Sequence, residues 1–149
     1  MTIRPGRPDE AAALTDLAMR SKASWGYDEV FMMKARGDMR VSARDIEGSH
    51  CLVAEDGGAI CGYVLTFVNG ESALLRDLFI DPAYFKRGLG RELFQRAVAH
   101  ARERNARRIV LHADPNARGF YERLGMRCKR EVNSNVMPGR KLPVMELML

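Results

Sequence analysis

Cysteine is scarce in this chain: Cys51, Cys61 and Cys128 are odd in number and include no Cys-x-x-Cys pair. That argues against a disulfide framework and a cysteine-rich zinc site, and no metal is expected. No apolar run approaches the ~18 residues that cross a bilayer. The best stretch, Ala59 to Val68, is broken by Gly62 and Thr66. The opening Met1-Thr2-Ile3-Arg4-Pro5 lacks the apolar stretch of a secretory signal. Aromatic residues are only 7%, without the Lys/Arg-Gly-aromatic signature of an RNA-reading sheet. Repeats, linkers and low-complexity tracts are also missing. What is present is ordinary for one packed domain over residues 1–149: 46% apolar and 29% charged. A cytoplasmic location, with no membrane or nucleic-acid partner, is the expectation. The net charge of +5 suits a nucleic-acid binder or an enzyme that handles a polyphosphate cofactor. The basic residues form no single run, being interleaved with acids and apolar residues.

Periodicity divides the chain. Residues 9 to about 47 are helical by pattern, with Ala11, Leu14, Leu17 and Ala18 at helical spacing and Asp9 placed to cap after Pro8. A Ser24-to-Asp28 segment separates these from a second helical stretch around Val30 to Met33. Period two then takes over. Cys51–Ala54, Ala59–Val68 and Ala73–Ile80 read as strands joined by turns at Glu55–Gly58 and Asn69–Gly70. A helix is expected from Gly88 to about Arg104, with Leu89, Leu93, Phe94, Ala97, Val98 and Ala101 on one face. Ile109–Leu111 reads as a strand, Asn116–Leu124 as a short helix stopped by Gly125, and Arg127–Val132 and Leu142–Leu149 as final strands. The strand–helix–strand unit from Ala73 to Leu111 requires a parallel pair, whereas the hairpins are antiparallel. The fold class is therefore α/β: a mixed, mostly antiparallel sheet with helices on both faces.

The informative passage runs from Leu78 to Arg91, where a strand ends, a basic loop with two glycines follows, and a helix begins. Successive N–H groups at a helix start make an anion site, and glycines let the backbone approach it. The dinucleotide fingerprint wants a third glycine where Leu93 stands, and the Gly-Lys-Ser/Thr of a P-loop does not occur.

This passage resembles the pyrophosphate-binding motif of the GNAT superfamily of acyl-CoA-dependent N-acyltransferases, Gln/Arg-x-x-Gly-x-Gly/Ala. It appears here as Phe85-Lys86-Arg87-Gly88-Leu89-Gly90, with Phe85 in place of the usual Gln or Arg. Asn116 to Met126 is similar to that family's Asn-x-x-Ala-x-x-Phe-Tyr-x-x-x-Gly-Phe segment, with Gly119 for Ala and Met126 for Phe. The order of elements follows the family along the whole chain.

The resemblance implies a GNAT-like sheet whose central parallel pair is splayed. It also implies acetyl-CoA as co-substrate and attack by an acceptor amine in a ternary complex. The cofactor-binding residues it implies are Leu78, Phe79 and Ile80 beside a strand bulge, Lys86, Arg87, Gly88, Leu89, Gly90 and Arg91 in the loop, and Asn116. The bulge would leave N–H donors for the oxyanion, and the splay would admit pantetheine as an added strand. Tyr121 matches the tyrosine that serves as the acid; on its own spacing it equally packs beside Phe120 and Leu124. Asn116 reads as a helix cap and a pantetheine contact.

The base stays open. Arg76 stands where some relatives carry a glutamate, Asp77 faces the opposite side by alternation, and Glu71, His112 and Asp114 remain candidates. The acceptor, a small-molecule or peptide amine, is expected near Trp25, Tyr27 and Asp28 and near Arg140, with Trp25 alternatively plain core. Arg76 and Arg140, if they face the cleft, favour an acceptor bearing a carboxylate or phosphate. Met32, Met33, Met137, Met145 and Met148 read as core or pocket filling. Many relatives dimerise, so a homodimer is allowed. The alternatives are a non-catalytic acetyl-CoA sensor on the same fold and, behind it, a nucleic-acid-binding domain.

Overall fold

A computed structural model describes all 149 residues. The strands are β1 (Thr2–Pro5), β2 (His50–Asp56), β3 (Ala59–Asn69), β4 (Ser72–Ile80), β5 (Arg108–His112), β6 (Arg127–Asn133) and β7 (Lys141–Met148). The helices are α1 (Ala11–Ala23), α2 (Glu29–Ala35), α3 (Ala43–Glu47), α4 (Leu89–Glu103) and α5 (Arg118–Arg123). One seven-stranded sheet runs β1-β2-β3-β4-β5-β7-β6, and only the β4·β5 pair is parallel. The expected mixed sheet is therefore what forms. None of the helices is long and apolar enough to cross a membrane.

Local chemistry sets the boundaries. Gly57 and Gly58, both at positive φ, make the two-residue β2–β3 turn. The Asp28 carboxylate accepts from Phe31 N–H at 2.8 Å and caps α2, which accounts for it without an acceptor. Ser42 and Asp45 form a reciprocal box that starts α3, an element the sequence reading, with two helical stretches before β2, did not separate from α2. Asp9 caps nothing: it lies inside a 3₁₀ turn, Pro8–Glu10, and Glu10 reaches back to Arg7 N–H at 2.8 Å.

Helices cover both faces. The larger core lies under α4 and α5, where Leu89, Leu93, Phe94, Ala97, Val98 and Ala101 are buried as their spacing predicts. A smaller one lies under α1–α3 around Leu14, Leu17, Phe31 and Tyr63. Of the methionines, Met145 is core, whereas Met33, Met137 and Met148 are exposed.

Parallel pairing joins β4 to β5 only at Ser72, Ala73 and Leu74, opposite Arg108, Ile109 and Val110. Beyond Leu74 the strands diverge, and this gap is the splay. A bulge does occur in β4, but upstream of Leu78–Ile80: Leu65 pairs with Asp77 and Thr66 with Leu75, leaving Arg76 as the extra residue. The bulge cancels alternation locally. Arg76 and Asp77 point to the same side of the sheet and pair at 3.1 Å, contrary to the expectation that they face apart.

Candidate functional site

A groove of about 980 Å³ fills the splay. The end of β4 and the start of α4 form one wall, the end of β5 and α5 the other, and the α1–α2 and β6–β7 loops rim the mouth. Along β4, Asp81 N–H donates to Cys61 O at 2.9 Å, which makes Ile80 and Gly62 a non-hydrogen-bonded pair. Leu78 and Ile80 therefore turn their N–H and C=O groups away from β3, toward the gap left by β5, whereas Phe79 pairs with Tyr63. The splay thus exposes a two-residue backbone edge, suited to receive an extended amide-bearing chain.

The next segment is built for an anion. Lys86 (φ 63°) and Gly88 (φ 79°) are both left-handed and curl the loop before α4. None of the six N–H groups from Lys86 to Arg91 finds an acceptor in the protein; intrahelical bonding begins with Glu92 N–H to Gly88 O at 3.1 Å. Six free donors at the positive end of a helix dipole make a concave anion site. Gly90 lets Phe120 of the α5 segment pack against the first turn of α4, because a Cβ there would meet Phe120 Cζ at 3.2 Å. Lys86 and Arg91 line the groove, whereas Arg87 turns back over the Tyr84 ring at 5.0 Å. Phe85 also lines the groove and is 40% exposed.

Tyr121 enters from α5. Its ring is buried, edge-on to Phe120 at 5.1 Å, and its hydroxyl has no partner in the protein. Burial pushes its pKa well up, with Asp77 adding to the shift, so the phenol stays protonated.

The profile of the acetyltransferase (GNAT) family matches residues 12–126, most of the chain. The chain belongs to the GNAT family. Among curated relatives, glucosamine 6-phosphate N-acetyltransferase 1 of Oryza sativa subsp. japonica is 34% identical over 97 residues, covering 59% of this chain and 56% of that protein. The alignment thus spans about half the length of the relative. Among solved structures, a GCN5-related N-acetyltransferase from Rhodopseudomonas palustris superposes with a TM-score of 0.80 at 21% identity, covering 99% of this chain and 95% of its own. PaiA N-acetyltransferase from Thermoplasma acidophilum, in complex with coenzyme A, gives 0.79 at 15% identity, covering 99% and 98%.

Within this GNAT fold several expected residues stand elsewhere. Asn116 is not the helix cap. Asp114 caps the 3₁₀ turn Pro115–Ala117 that precedes α5, accepting from Asn116 N–H at 2.9 Å, and the Asn116 amide donates to the Tyr27 hydroxyl and to Asp114 at the groove mouth. Arg76 is committed inside the fold. Although Arg76 lines the groove, its guanidinium bonds Asp45 at 2.8 Å, Asp77 at 3.1 Å and the Arg40 carbonyl at 2.8 Å, so it is satisfied within the fold without an acceptor carboxylate. Glu71 sits in the β3–β4 turn beside Arg107, away from the groove. Trp25 lines the groove at 50% exposure and is not core. Tyr27 and Arg140 do come together, Arg140 Nη2 donating to the Tyr27 hydroxyl at 2.7 Å.

The sequence reading missed Lys22, whose Nζ donates to Asp114 at 2.9 Å. No local signal marks it, since its partner is 92 residues away. His112 and Asp114 both line the groove. Burial alone would raise the Asp114 pKa, but the hydrogen bond and charge of Lys22, with further bonds from Asn116 and Tyr27, carry it below the usual carboxylate value.

Proposed function

We propose that this protein transfers the acetyl group of acetyl-CoA to a primary amine, by direct attack in a ternary complex. The observation that carries the reading is the run of six acceptor-less N–H groups from Lys86 to Arg91, beside the splayed edge at Leu78 and Ile80. The first suits a pyrophosphate and the second a pantetheine arm; a generic anion site would need only the first. Lys86 and Arg91 add charge to the pyrophosphate end. The Leu78 and Ile80 backbone aligns the arm and supplies N–H donors where negative charge develops on the thioester oxygen.

Tyr121 protonates the departing sulfur. Its hydroxyl is neutral and has no competing partner in the protein, so it is free to hydrogen-bond the sulfur as negative charge develops there, which offsets the weaker acidity that burial gives it. Asp114 is a poor base, because Lys22, Tyr27 and Arg140 hold it as a bound carboxylate. His112 ends β5 with an exposed side chain in the groove and takes the ammonium proton, directly or through water.

The test is calorimetric titration with acetyl-CoA, followed by thiol release with a library of amines. Binding with acetylation of at least one amine is expected. Binding without thiol release from any amine would replace the enzyme by an acetyl-CoA sensor. No binding would remove both.

A further inference from the structure

The mouth of the groove holds a polar cluster that the chemistry above does not use. Lys22 at the end of α1, Tyr27 after it, Asp114 after β5 and Arg140 before β7 meet there. Lys22 Nζ and Arg140 Nη2 both reach Asp114 Oδ2, at 2.9 Å and 3.3 Å, and the Tyr27 hydroxyl donates to the same oxygen at 2.9 Å. Chiefly because it is buried, Tyr27 has a raised pKa and remains neutral. Two cations therefore share one anion.

All three charged side chains are largely removed from water, with exposures of 14% for Lys22, 13% for Arg140 and 12% for Asp114. A surplus positive charge in such a place is costly without a counter-ion. The stacked Tyr27 and Phe31 rings offset part of it, with Lys22 at 5.4 Å and Arg140 at 5.3 Å from the Tyr27 centroid. Asp38 is the other carboxylate lining the groove, but it is exposed, makes no ion pair, and is screened by water. Arg140 Nε and two of the three Lys22 N–H donors have no acceptor in the protein.

We infer that the acceptor amine carries an anionic group, a carboxylate or a phosphomonoester, which binds across Lys22 and Arg140 at the groove mouth. Asp114 and Tyr27 are positioning residues that hold the two cations in place. The inference rests on the acetyltransferase reading but is tested apart from it. Calorimetry on the protein saturated with CoA compares matched amines: glucosamine 6-phosphate with glucosamine, and β-alanine with β-alaninamide. In at least one pair the more anionic member should bind roughly tenfold tighter or better. Which pair responds separates phosphate from carboxylate.

Arg140→Gln and Lys22→Gln should each shrink that preference, and an unchanged CoA affinity shows that the variants are folded. Equal affinities within both pairs, absence of binding by all four amines, or a preference that survives both substitutions would overturn the inference. Thiol release measured in parallel with acetyl-CoA reports separately on the acetyltransferase assignment.

Discussion

Arg76→Gln separates a structural guanidinium from a substrate-binding one. The substitution leaves Asp77, 8% exposed, facing Tyr63 with no cation, and frees Asp45 and the Arg40 carbonyl. Removing one partner of a fully buried pair costs about 3–5 kcal/mol. Two features reduce that figure. Arg76 and Asp45 keep 26% and 28% exposure, so water screens their bond. Asp77 can also protonate, since burial pushes its carboxyl up and Arg76 only partly offsets this. We expect a loss of about 2–3 kcal/mol at pH 7, and a drop in Tm of roughly 5–10 °C for a chain of this size.

The pH dependence has a definite sign. Asp77 has a folded pKa above its unfolded one, so its contribution is full below the unfolded pKa and lost as pH rises through the folded value. Without Arg76 the folded value climbs further, so the penalty is largest at pH 7 and shrinks toward pH 4. Urea denaturation at both pH values measures it. An unchanged midpoint together with a fall in kcat/KM for the acceptor would refute the reasoning and return the guanidinium to the substrate.

Gly88→Asp places a side chain and a negative charge at a left-handed residue with open space around it, so the fold should survive while acetyl-CoA binding is lost. Gly88→Ala, which carries only the backbone strain of about 1–2 kcal/mol, is the control, and unchanged affinity in a folded Asp variant would defeat the anion-site assignment. Tyr121→Phe removes a hydroxyl with no protein partner, so Tm should hold while kcat falls by ~10²-fold. An unaltered kcat, with chemistry rate-limiting, would leave Tyr121 a packing residue. His112→Gln should lower kcat/KM, with partial recovery at high pH as the free amine accumulates; no change at neutral pH would exclude it as the base. His50 and His100 stack at 3.7 Å, and burial lowers both pKa values, with His100 lowering that of His50 further. Below the ordinary ~6.5 the unfolded chain protonates first, so the urea midpoint should fall between pH 7 and 5.5; an equal fall in His50→Gln/His100→Gln would exclude the pair as its source.

Much of the fold was legible because it is written locally. The apolar stripe of α4, the turn glycines and the runs of β2 to β5 each carry their period within a dozen residues. The single parallel pair followed from the length of the β4–α4–β5 crossover. Reading failed where tertiary contacts decided local geometry. The bulge at Arg76 depends on the pairing of β4 with β3, and nothing within β4 announces it. Once one residue is inserted, Arg76 and Asp77 share a face and the alternation argument gives the wrong side for one of them. Asp9 and Asn116 failed similarly: each sits at a plausible capping position, but each lies inside a short 3₁₀ turn whose capping bonds come from Glu10 and Asp114 instead.

The two halves of the groove differ for a related reason. The anion loop is a backbone device, so glycines at a fixed spacing before a helix encode it within one stretch of chain. The acceptor mouth is a side-chain device. Lys22 meets Asp114 across 92 residues, and Arg140 meets Tyr27 across 113. In sequence Arg76 and Arg140 were equivalent candidates for binding an acceptor anion. The fold distinguishes them by counting partners. Arg76 faces two carboxylates and a carbonyl, which satisfy it without a ligand. Arg140 shares its one carboxylate with Lys22, which leaves the pair a charge in excess at the opening through which an acceptor would arrive.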